Sequence, residues 1–472
     1  MKKIPFLSLL ALLGNALATQ VTILGINDMH ADIDNLPQLA TYLKAERAQN
    51  PDALLLSAGD NRTGSPYVDI GTHPGAPMIQ LMNKLRFDLS TLGNHEFDAG
   101  EDALRYCLNL AEFPFVCANV KATSGDALYL KPYQIFERDG VRIGVLGLVQ
   151  TGDNGLPDAH PDQVKALSFR SPFEIVRDYA YLREQCDILI LLTHIGFEDD
   201  VKLAQLFPEA DAIIGGHSHT RVEKEHIING VLITQTENKV KYLTKLTFDV
   251  EDGKVQSRKF EFISLRSLPK DADMQAAVEK VKNNPYMTRK LTTIPCDITR
   301  RESLGCLMAD SLRFYLKSDV AVVNMGNVRL EEFPKGPFTV ADCYRLDPFG
   351  NKNVVMKLTG RQLVDFLNAI PSTDHHGAPC VSGLSYKATK AEGELQPMQI
   401  TEATMADGTP LNPDATYTVT TNSYLMATVP NMPQVETTTY DIDCAKCMMQ
   451  YLDGKAEVDY SDTTRIELTI SK

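Results

Sequence analysis

The stretch Leu89–Asp98, with the sequence LSTLGNHEFD, leads from a short apolar run directly into polar side chains. A short apolar run that ends at a glycine is typical of a strand buried in an α/β core. Asn94, His95 and Asp98 follow this run, and α/β sheets build their sites at the carboxyl ends of their strands. The stretch therefore predicts both a fold class and a candidate site.

The same arrangement occurs at other places in the first half of the chain, where an apolar run ends in groups that can bind a metal. These places are Val21 to Ile26 with Asp28 and His30, Ala53 to Ser57 with Asp60, Asp187 to Thr193 with His194, and Asp211 to Ile214 with His217 and His219. Amphipathic stretches such as 36–48 and 172–184 lie between the runs. This alternation predicts an α/β fold, followed by antiparallel strands at Tyr242 to Val250 and Gln256 to Leu265.

Mixed oxygen and imidazole groups at these strand ends suit Mn, Zn or Fe better than the all-oxygen sites of Ca or Mg. Asp28 and His30 can face one ion, whereas His217 and His219 can reach two ions on either side of a turn. Asp60 can bridge two ions. Alone, each of these short motifs is more often a turn or a helix cap than a ligand. Together and in order, they predict two divalent ions about 3.5–4 Å apart that would hold a phosphoryl group and activate water.

The ordered set D-x-H, G-D, G-N-H-E, H and G-H-x-H resembles the calcineurin-like metallophosphoesterases, and in particular the 5′-nucleotidase and UDP-sugar hydrolase family. The second half carries further patterns of that family at Glu302–Gly305, Asn324–Arg329, Pro348–Asn351 and Leu358–Gly360. The resemblance implies an N-terminal four-layer αββα metallophosphoesterase domain and a smaller α/β C-terminal substrate-binding domain. We expect these domains at residues 19–266 and 291–472, with a linker helix within residues 267–290.

The resemblance also implies a role for each candidate residue. The first metal would be held by Asp28, His30, Asp60 and His219, and the second by Asp60, Asn94, His194 and His217. His95 would stabilise the transition state or assist the leaving oxygen without binding metal. Asp98 would orient the ring of His95 and favour its charged form.

On the substrate side, the resemblance implies that Arg329 grips phosphate and that Tyr424 stacks on a nucleobase. The second stacking ring of the family should lie at Val381, which cannot stack, and the glycine-rich run after Tyr424 is missing. Despite these two departures, the family resemblance makes nucleotides the expected substrates, with release of phosphate for salvage. The alternatives are 2′,3′-cyclic nucleotides, UDP-sugars, sugar phosphates, a thiosulfohydrolase reaction, or a non-catalytic nucleotide-binding surface protein.

The N-terminus reads as a signal peptide of residues 1–18, with Lys2 and Lys3 before an apolar run, Ile4 to Gly14, and a small-residue ending at Ala16 to Ala18. This predicts a periplasmic or secreted protein with no membrane anchor. The formal net charge of −14 argues against a nucleic-acid polymer as partner. A small phosphorylated substrate is still compatible with it, because a metal site sets its own local field.

In the second half, a charged stretch at Met274 to Lys282 predicts the linker helix, and Ser303 to Lys317 predicts another helix with Ser303 as its cap. Strands are expected at Val320 to Val323, Tyr417 to Thr420 and Arg465 to Ile470. The chain has nine cysteines. Two pairs are close enough in sequence for disulfides, Cys107 with Cys117 and Cys444 with Cys447, and the latter could equally be two buried thiols.

Overall fold

A computed structural model describes residues 18–123, 130–371, 377–391, 398–430, 432 and 434–471. The signal peptide expected at residues 1–18 lies outside this range except for Ala18. Within the described residues, every helix is too short or too polar to cross a membrane.

The N-terminal half alternates strands and helices as the sequence predicts. The strands are β1 (Thr19–Ile26), β2 (Leu54–Ser57), β3 (Leu89–Thr91), β4 (Phe115–Val116), β5 (Val120–Ala122), β6 (Tyr133–Arg138), β7 (Val141–Val149), β8 (Leu167–Phe169), β9 (Ile188–His194), β10 (Ala212–Ile214), β11 (His226–Ile228), β12 (Val231–Thr234), β13 (Tyr242–Glu251) and β14 (Lys254–Ser264). The helices are α1 (Leu36–Gln49), α2 (Pro66–Asp69), α3 (Ala76–Leu85), α4 (Gly100–Leu110), α5 (Pro161–Val164), α6 (Pro172–Ile175), α7 (Leu182–Gln185), α8 (Phe197–Leu206) and α9 (Ala272–Lys282).

Two mixed sheets form the centre of this half, with strand orders β14-β13-β1-β2-β3-β4 and β11-β12-β10-β9-β7-β6. The central neighbours β1, β2 and β3 run parallel, as do β7, β9, β10 and β12. Parallel neighbours direct their carboxyl ends to the same edge, and the candidate ligands follow β1, β2, β3, β9 and β10 at that edge.

The strands are buried on both faces, which explains their continuous apolar runs. Ile23 and Leu56 of one sheet pack against Ile190 and Ile214 of the other. Leu24 and Leu55, the neighbours of those residues, point outward onto α1, α3 and α9. The outer face of the second sheet is covered by α6, α7 and α8. The layers are therefore helices, sheet, sheet and helices, and the predicted αββα arrangement is confirmed.

The C-terminal half forms a smaller α/β body. Its strands are β15 (Lys290–Ile294), β16 (Val320–Val323), β17 (Gly336–Thr339), β18 (Lys352–Thr359), β19 (Cys380–Ser382), β20 (Leu384–Ala391), β21 (Gln399–Met405), β22 (Thr416–Asn422), β23 (Thr437–Asp443) and β24 (Ile466–Ser471). Its helices are α10 (Arg301–Leu316), α11 (Val340–Leu346), α12 (Gly360–Ala369), α13 (Ser423–Thr428) and α14 (Cys444–Leu452). The main sheet has the order β19-β16-β22-β18-β23, and β21-β20-β24 form a second one.

The predicted linker helix exists as α9, and the side chain of Asp271 caps it by accepting a hydrogen bond from Met274 N at 3.0 Å. Met274 and Val278 are buried in the same core as Leu36 and Leu39 of α1. The helix is thus packed onto the N-terminal half rather than suspended between the halves. The domain boundaries given above stay a prediction.

Two local predictions are wrong. Ser303 does not cap the helix, because α10 begins at Arg301 and the Ser303 hydroxyl donates instead to the carbonyl of Thr463 at 2.8 Å. The amphipathic stretch at 172–184 is not one helix but a series of short pieces, α6, the 3₁₀ turn Val176–Tyr179 and α7. There, Ala180 N bonds Arg177 O and Arg183 N bonds Ala180 O, which are three-residue hydrogen bonds.

The cysteines, all within the described part of the chain, are unpaired. Cys107 Sγ donates to Pro74 O and Cys117 Sγ to Asn119 Oδ1, so a disulfide between these two is not formed. Cys444 and Cys447 are buried in the core of the C-terminal half. Of the two interpretations of Cys444 and Cys447, two buried thiols is the one that the structure supports.

A buried carboxylate in the C-terminal half makes stability depend on pH. Asp347 is 1% exposed, and burial raises its pKa to about 7. Because this pKa lies above the ordinary value, the folded state binds the proton more tightly, and stability falls as pH rises from about 4 to 7. The Asp347→Asn variant cannot ionise. Between pH 5 and pH 8, its free energy of unfolding should therefore fall by roughly 2–4 kcal/mol less than that of the wild type.

The measurement is denaturant unfolding at both pH values with a chelator present. Asn keeps an oxygen for the hydrogen bond from Phe349 N to Asp347 Oδ1, so the local turn should survive. Asp462→Asn, an exposed residue of the same half, is the matched control. Parallel pH profiles for Asp347→Asn and the wild type would contradict the prediction.

Candidate metal centre

The predicted metal ligands converge where the two sheets meet. Asp28 and His30 follow β1, Asp60 follows β2, Asn94 follows β3, His194 is the last residue of β9, and His217 and His219 follow β10. The first sheet thus supplies ligands from three neighbouring strands and the second from two. Residues separated by about 190 positions in sequence come together only because both sheets end at this edge.

One group consists of Asp28, His30 and His219. Nε2 of His30 lies 2.8 Å from Nε2 of His219 and 3.7 Å from Oδ1 of Asp28. Nε2 of His219 lies 3.4 Å from the same carboxylate oxygen. Three ligand atoms that face one another at these distances form a group able to hold a metal ion.

A second group contains Asp60, His194, Asn94 and His217. Nε2 of His194 lies 3.1 Å from Oδ2 of Asp60, and Nδ1 of His217 lies 3.0 Å from Oδ1 of Asn94. The backbone N–H of His217 donates to Oδ2 of Asp28 at 3.0 Å, which fixes this group against the first one.

Asp60 lies between the groups. Its Oδ2 is 3.1 Å from Nε2 of His194, 3.9 Å from Nε2 of His30 and 3.8 Å from Nε2 of His95. Its Oδ1 accepts a hydrogen bond from the backbone N–H of His95 at 2.9 Å. This is the position required of a carboxylate that bridges two ions.

Two backbone carbonyls set the tautomers of the buried histidines. Nδ1 of His30 lies 3.1 Å from Thr63 O, and Nδ1 of His194 lies 2.7 Å from Ala58 O. Each Nδ1 therefore carries a proton, and Nε2 of each ring is the nitrogen left to bind a metal. Nε2 of His194 is buried and has no hydrogen-bond partner among the described residues. A divalent cation fits this donor set.

The charges of the site are balanced between carboxylates and imidazoles. Burial disfavours the charged form of His194, but Asp60 and Asp28 outweigh burial and raise its pKa to about 10. Burial likewise opposes ionisation of Asp60, yet His194 and His95 hold its pKa well below the usual range. A metal ion would take the place of the proton in this pairing, since ligand imidazoles bind metals in their neutral form.

Most ligand residues adopt a backbone conformation that side chains other than glycine rarely use. Positive φ angles occur at Asp28 (49°), His30 (46°), Asp60 (51°), His217 (82°) and His219 (54°). Each costs on the order of 1–2 kcal/mol relative to ordinary backbone. Such strain concentrates at functional sites, where the surrounding structure holds the residue in place.

Two glycines allow the ligand loops to approach one another. A Cβ at Gly93 would lie 2.2 Å from Oδ1 of Asp60, and a Cβ at Gly216 would lie 2.7 Å from Nδ1 of His194. Neither position can carry a side chain without displacing a ligand. Glycine at both positions therefore permits the ligand loops to pack tightly.

Glu96 connects two ligand loops, a role that its residue type and spacing did not predict. Its carboxylate accepts hydrogen bonds from the backbone N–H groups of Asp60 at 3.0 Å, Asn61 at 2.8 Å and Gly93 at 2.6 Å. These donors belong to the loops that carry Asp60 and Asn94. The only sequence signal for Glu96 is its place in the run Gly93–Asp98.

His95 lies beside the ligands and is paired with Asp98, as the sequence predicts. Nδ1 of His95 is 2.8 Å from Oδ2 of Asp98, which also accepts from the Thr63 hydroxyl at 2.7 Å. Burial lowers the pKa of His95, but Asp98 and Asp60 raise it by more, so the net shift is upward. His95 can therefore present a protonated Nε2 toward the centre of the site.

The C-terminal half contributes side chains to the same place. Nη2 of Arg329 lies 3.3 Å and 3.4 Å from the two ring nitrogens of His30, which places it over that ring. The ring of Phe349 lies 5.8 Å from the ring of His95 and 5.8 Å from Cζ of Arg329. Phe349 belongs to the motif Pro348–Asn351, but the motif alone did not predict it as a site residue.

The predicted base-stacking residues differ in their placement. Tyr424 lies on α13 and is half-buried, and burial, followed by the charges of the Asp158 and Asp98 carboxylates, raises its pKa to about 12. Val381 is completely buried on β19, in the core of the C-terminal half. Val381 therefore differs from the expected stacking ring in two ways. It is not aromatic, and its side chain is buried in the core and does not line the site.

Comparison with protein-family models assigns both halves. Residues 21–221 match the model described as calcineurin-like phosphoesterase, and residues 280–436 match that of the 5′-nucleotidase C-terminal domain. The first model contains all the candidate metal ligands, and the second contains Arg329, Phe349 and Tyr424.

Individual relatives support the same assignment. A 5′-nucleotidase of Vibrio cholerae is 26% identical, over 89% of this chain and 86% of its own. A Bacillus subtilis endonuclease is 29% identical over 85% of this chain, but the chain spans only 37% of its length. The crystal structure of a 5′-nucleotidase precursor from Thermus thermophilus superposes with a TM-score of 0.83 at 25% identity, and covers 96% of this chain and 99% of its own.

Metal binding should stabilise the folded protein. At a concentration of Mn²⁺ about 100 times the dissociation constant, we expect a gain of roughly 2.7 kcal/mol per site and a rise of several degrees in Tm. His194→Ala should remove much of this rise because it deletes a ligand beside Asp60. His226→Ala, outside the site on β11, should leave it intact. A Tm of the wild type that does not respond to Mn²⁺ or Zn²⁺ would count against the metal site.

Proposed function

Because the chain belongs to the calcineurin-like phosphoesterases that carry a 5′-nucleotidase C-terminal domain, we propose that it is a metal-dependent phosphoester hydrolase that releases phosphate from nucleotides. The observation that carries the proposal is the position of Asp60, whose Oδ2 lies 3.1 Å from Nε2 of His194 and 3.9 Å from Nε2 of His30. A carboxylate placed in this way serves a pair of ions, and paired ions are typical of phosphoester hydrolysis.

The ligand sets of the proposal are those inferred from the sequence. Asp28, His30, Asp60 and His219 hold one divalent ion, and Asp60, Asn94, His194 and His217 hold the other. The mixture of imidazole and oxygen ligands favours Mn, Zn or Fe. When bound, the ions supply the Lewis acidity that neutralises the phosphoryl charge and activates water.

His95 acts on the reacting phosphoryl group without binding metal. Its ring lies beside Asp60, and the pair with Asp98 favours the protonated form. A protonated Nε2 can donate a hydrogen bond to a phosphoryl oxygen and pass its proton to the departing alkoxide. Asp98 supports both roles because it fixes the ring and compensates its charge.

Arg329 binds the substrate phosphate from the C-terminal half. Its guanidinium already lies over His30, and burial lowers its pKa, as expected of a cation held out of water. A guanidinium can bind two phosphate oxygens at once. Tyr424 and Phe349, on the same side, provide aromatic surface for the nucleoside part of the substrate.

A second candidate keeps the chemistry and changes the leaving group. Val381 is buried, so the second ring of a base sandwich is absent at the expected place. This favours substrates without a base, namely sugar phosphates or a thiosulfohydrolase substrate, and UDP-sugars and cyclic nucleotides are the alternatives that keep one. Both candidates place the reaction outside the cytoplasm, on the evidence of the apolar segment Ile4 to Gly14 after Lys2 and Lys3.

A substrate panel tests the function directly. The purified full chain, supplied with Mn²⁺ or Zn²⁺, is assayed against adenosine monophosphate, 2′,3′-cyclic nucleotides, UDP-glucose and an aryl phosphate. We expect phosphate release from adenosine monophosphate with the highest kcat/KM. Turnover of aryl phosphate alone would favour the second candidate. No turnover of any compound with metal bound would reject hydrolysis.

His95→Ala separates the chemistry from metal binding. The rate should fall by about 10²-fold or more while metal affinity is kept, because His95 touches the reacting group but not the ions. Kinetics and calorimetry with Mn²⁺ measure the two properties on the same preparation. Loss of metal in this variant would show that His95 is a ligand instead.

Arg329→Ala tests the contribution of the C-terminal half. KM should rise for adenosine monophosphate and for the aryl phosphate alike, because both present the phosphate that Arg329 binds. Arg361→Ala, which removes an exposed arginine of the same half, should change neither. An unchanged KM for both substrates would argue against a role of Arg329 in holding phosphate.

A further inference from the structure

Asp158 approaches two of the candidate ligands, although none of the motifs that define the site includes it. It lies in the segment that follows β7, in the run Gly155-Leu156-Pro157-Asp158. Pro157 and Ala159 on either side are buried, and the backbone N–H of Asp158 donates to Oε1 of Gln150 at 3.1 Å. Its backbone is therefore held in place, while its side chain is 57% exposed.

The backbone carbonyl of Asp158 orients Asn94. It accepts a hydrogen bond from Nδ2 of Asn94 at 3.2 Å. An amide whose nitrogen is engaged in this way must present its oxygen in the other direction, and Oδ1 of Asn94 faces Nδ1 of His217 at 3.0 Å. The ligand atom of Asn94 is thus directed into the second metal group by a contact that needs no side chain of Asp158.

The side chain of Asp158 faces the other ligand of the same group. Oδ2 of Asp158 lies 3.6 Å from Nε2 of His217. Nδ1 of this ring points to Asn94 and hence to the second metal group, so Nε2 is the nitrogen left for an outer partner. At 3.6 Å the carboxylate acts on that nitrogen through its charge rather than through a hydrogen bond, which favours a proton there and makes the ligand nitrogen more basic.

We propose that Asp158 is a positioning residue of the second metal site, which aims Asn94 through its carbonyl and His217 through its carboxylate. The proposal rests on the proposed function in one respect, which is that a divalent ion binds at the second metal site.

The experiment is calorimetric titration of the metal-free full chain with Mn²⁺. We expect the wild type to bind two ions and Asp158→Ala to bind one of them about 10- to 100-fold more weakly. Asp158→Asn, which keeps the shape of the side chain but removes its charge, should show a loss close to that of Asp158→Ala. Asp153→Ala, an exposed aspartate of the same segment, is the matched control and should bind both ions normally.

Kinetics supply a readout that a general structural defect would not produce. With limiting Mn²⁺, kcat of Asp158→Ala should fall, and excess Mn²⁺ should restore it while KM stays near the wild-type value. Unchanged affinity for both ions in Asp158→Ala would overturn the proposal. So would complete loss of one ion in both Asp158 variants, which would identify a direct ligand. A wild type that binds no metal would reject the proposed function itself, and this outcome is distinct from the other two.

Discussion

The carboxylate of Asp60 is the group on which the arrangement of the site depends. It lies within 4 Å of three imidazoles that come from separate strand ends, and its other oxygen binds the backbone of His95. A buried carboxylate in an apolar core is costly unless opposite charge and hydrogen bonds surround it. Here the compensation comes from histidines, and two of them, His30 and His194, are also candidate metal ligands. The chemistry of the site and the stability of its central charge therefore use the same contacts.

Five of the ligand residues have left-handed backbone, and such conformations persist only where the surroundings determine them. The surroundings here are parallel strands that end together, glycines that permit close approach, and the Glu96 carboxylate that binds three backbone N–H groups across two loops. Packing of the two sheets provides the stability that offsets this strain. The helices on the outer faces contribute by burying the second side of each strand. The metal centre is thus a property of the whole N-terminal half rather than of its loops.

The αββα layers, and the convergence of the candidate ligands at one edge of the sheets, could be predicted because their signals are local. Each ligand follows its own apolar run, and each run is buried on both faces. Glu96, Phe349 and Asp158 could not be assigned in this way, since their roles depend on contacts with residues far away in sequence or on a backbone carbonyl. Ser303 shows the opposite error. A serine at the start of a helical pattern favours a cap, but a carbonyl from the distant Thr463 takes its hydroxyl. Tertiary contacts decide such cases.

The two halves of the molecule differ in how freely their residues can be substituted. In the N-terminal half, a change at any ligand alters the charge balance around Asp60, so residue types there have little freedom. In the C-terminal half, Arg329 must reach the centre, but the aromatic surface around it can vary without disturbing the metals. Val381 in the core and Phe349 beside His95 are consistent with this division. Substrate preference can therefore change through the C-terminal half while hydrolysis is retained, which is why the reaction is better determined by this structure than the leaving group.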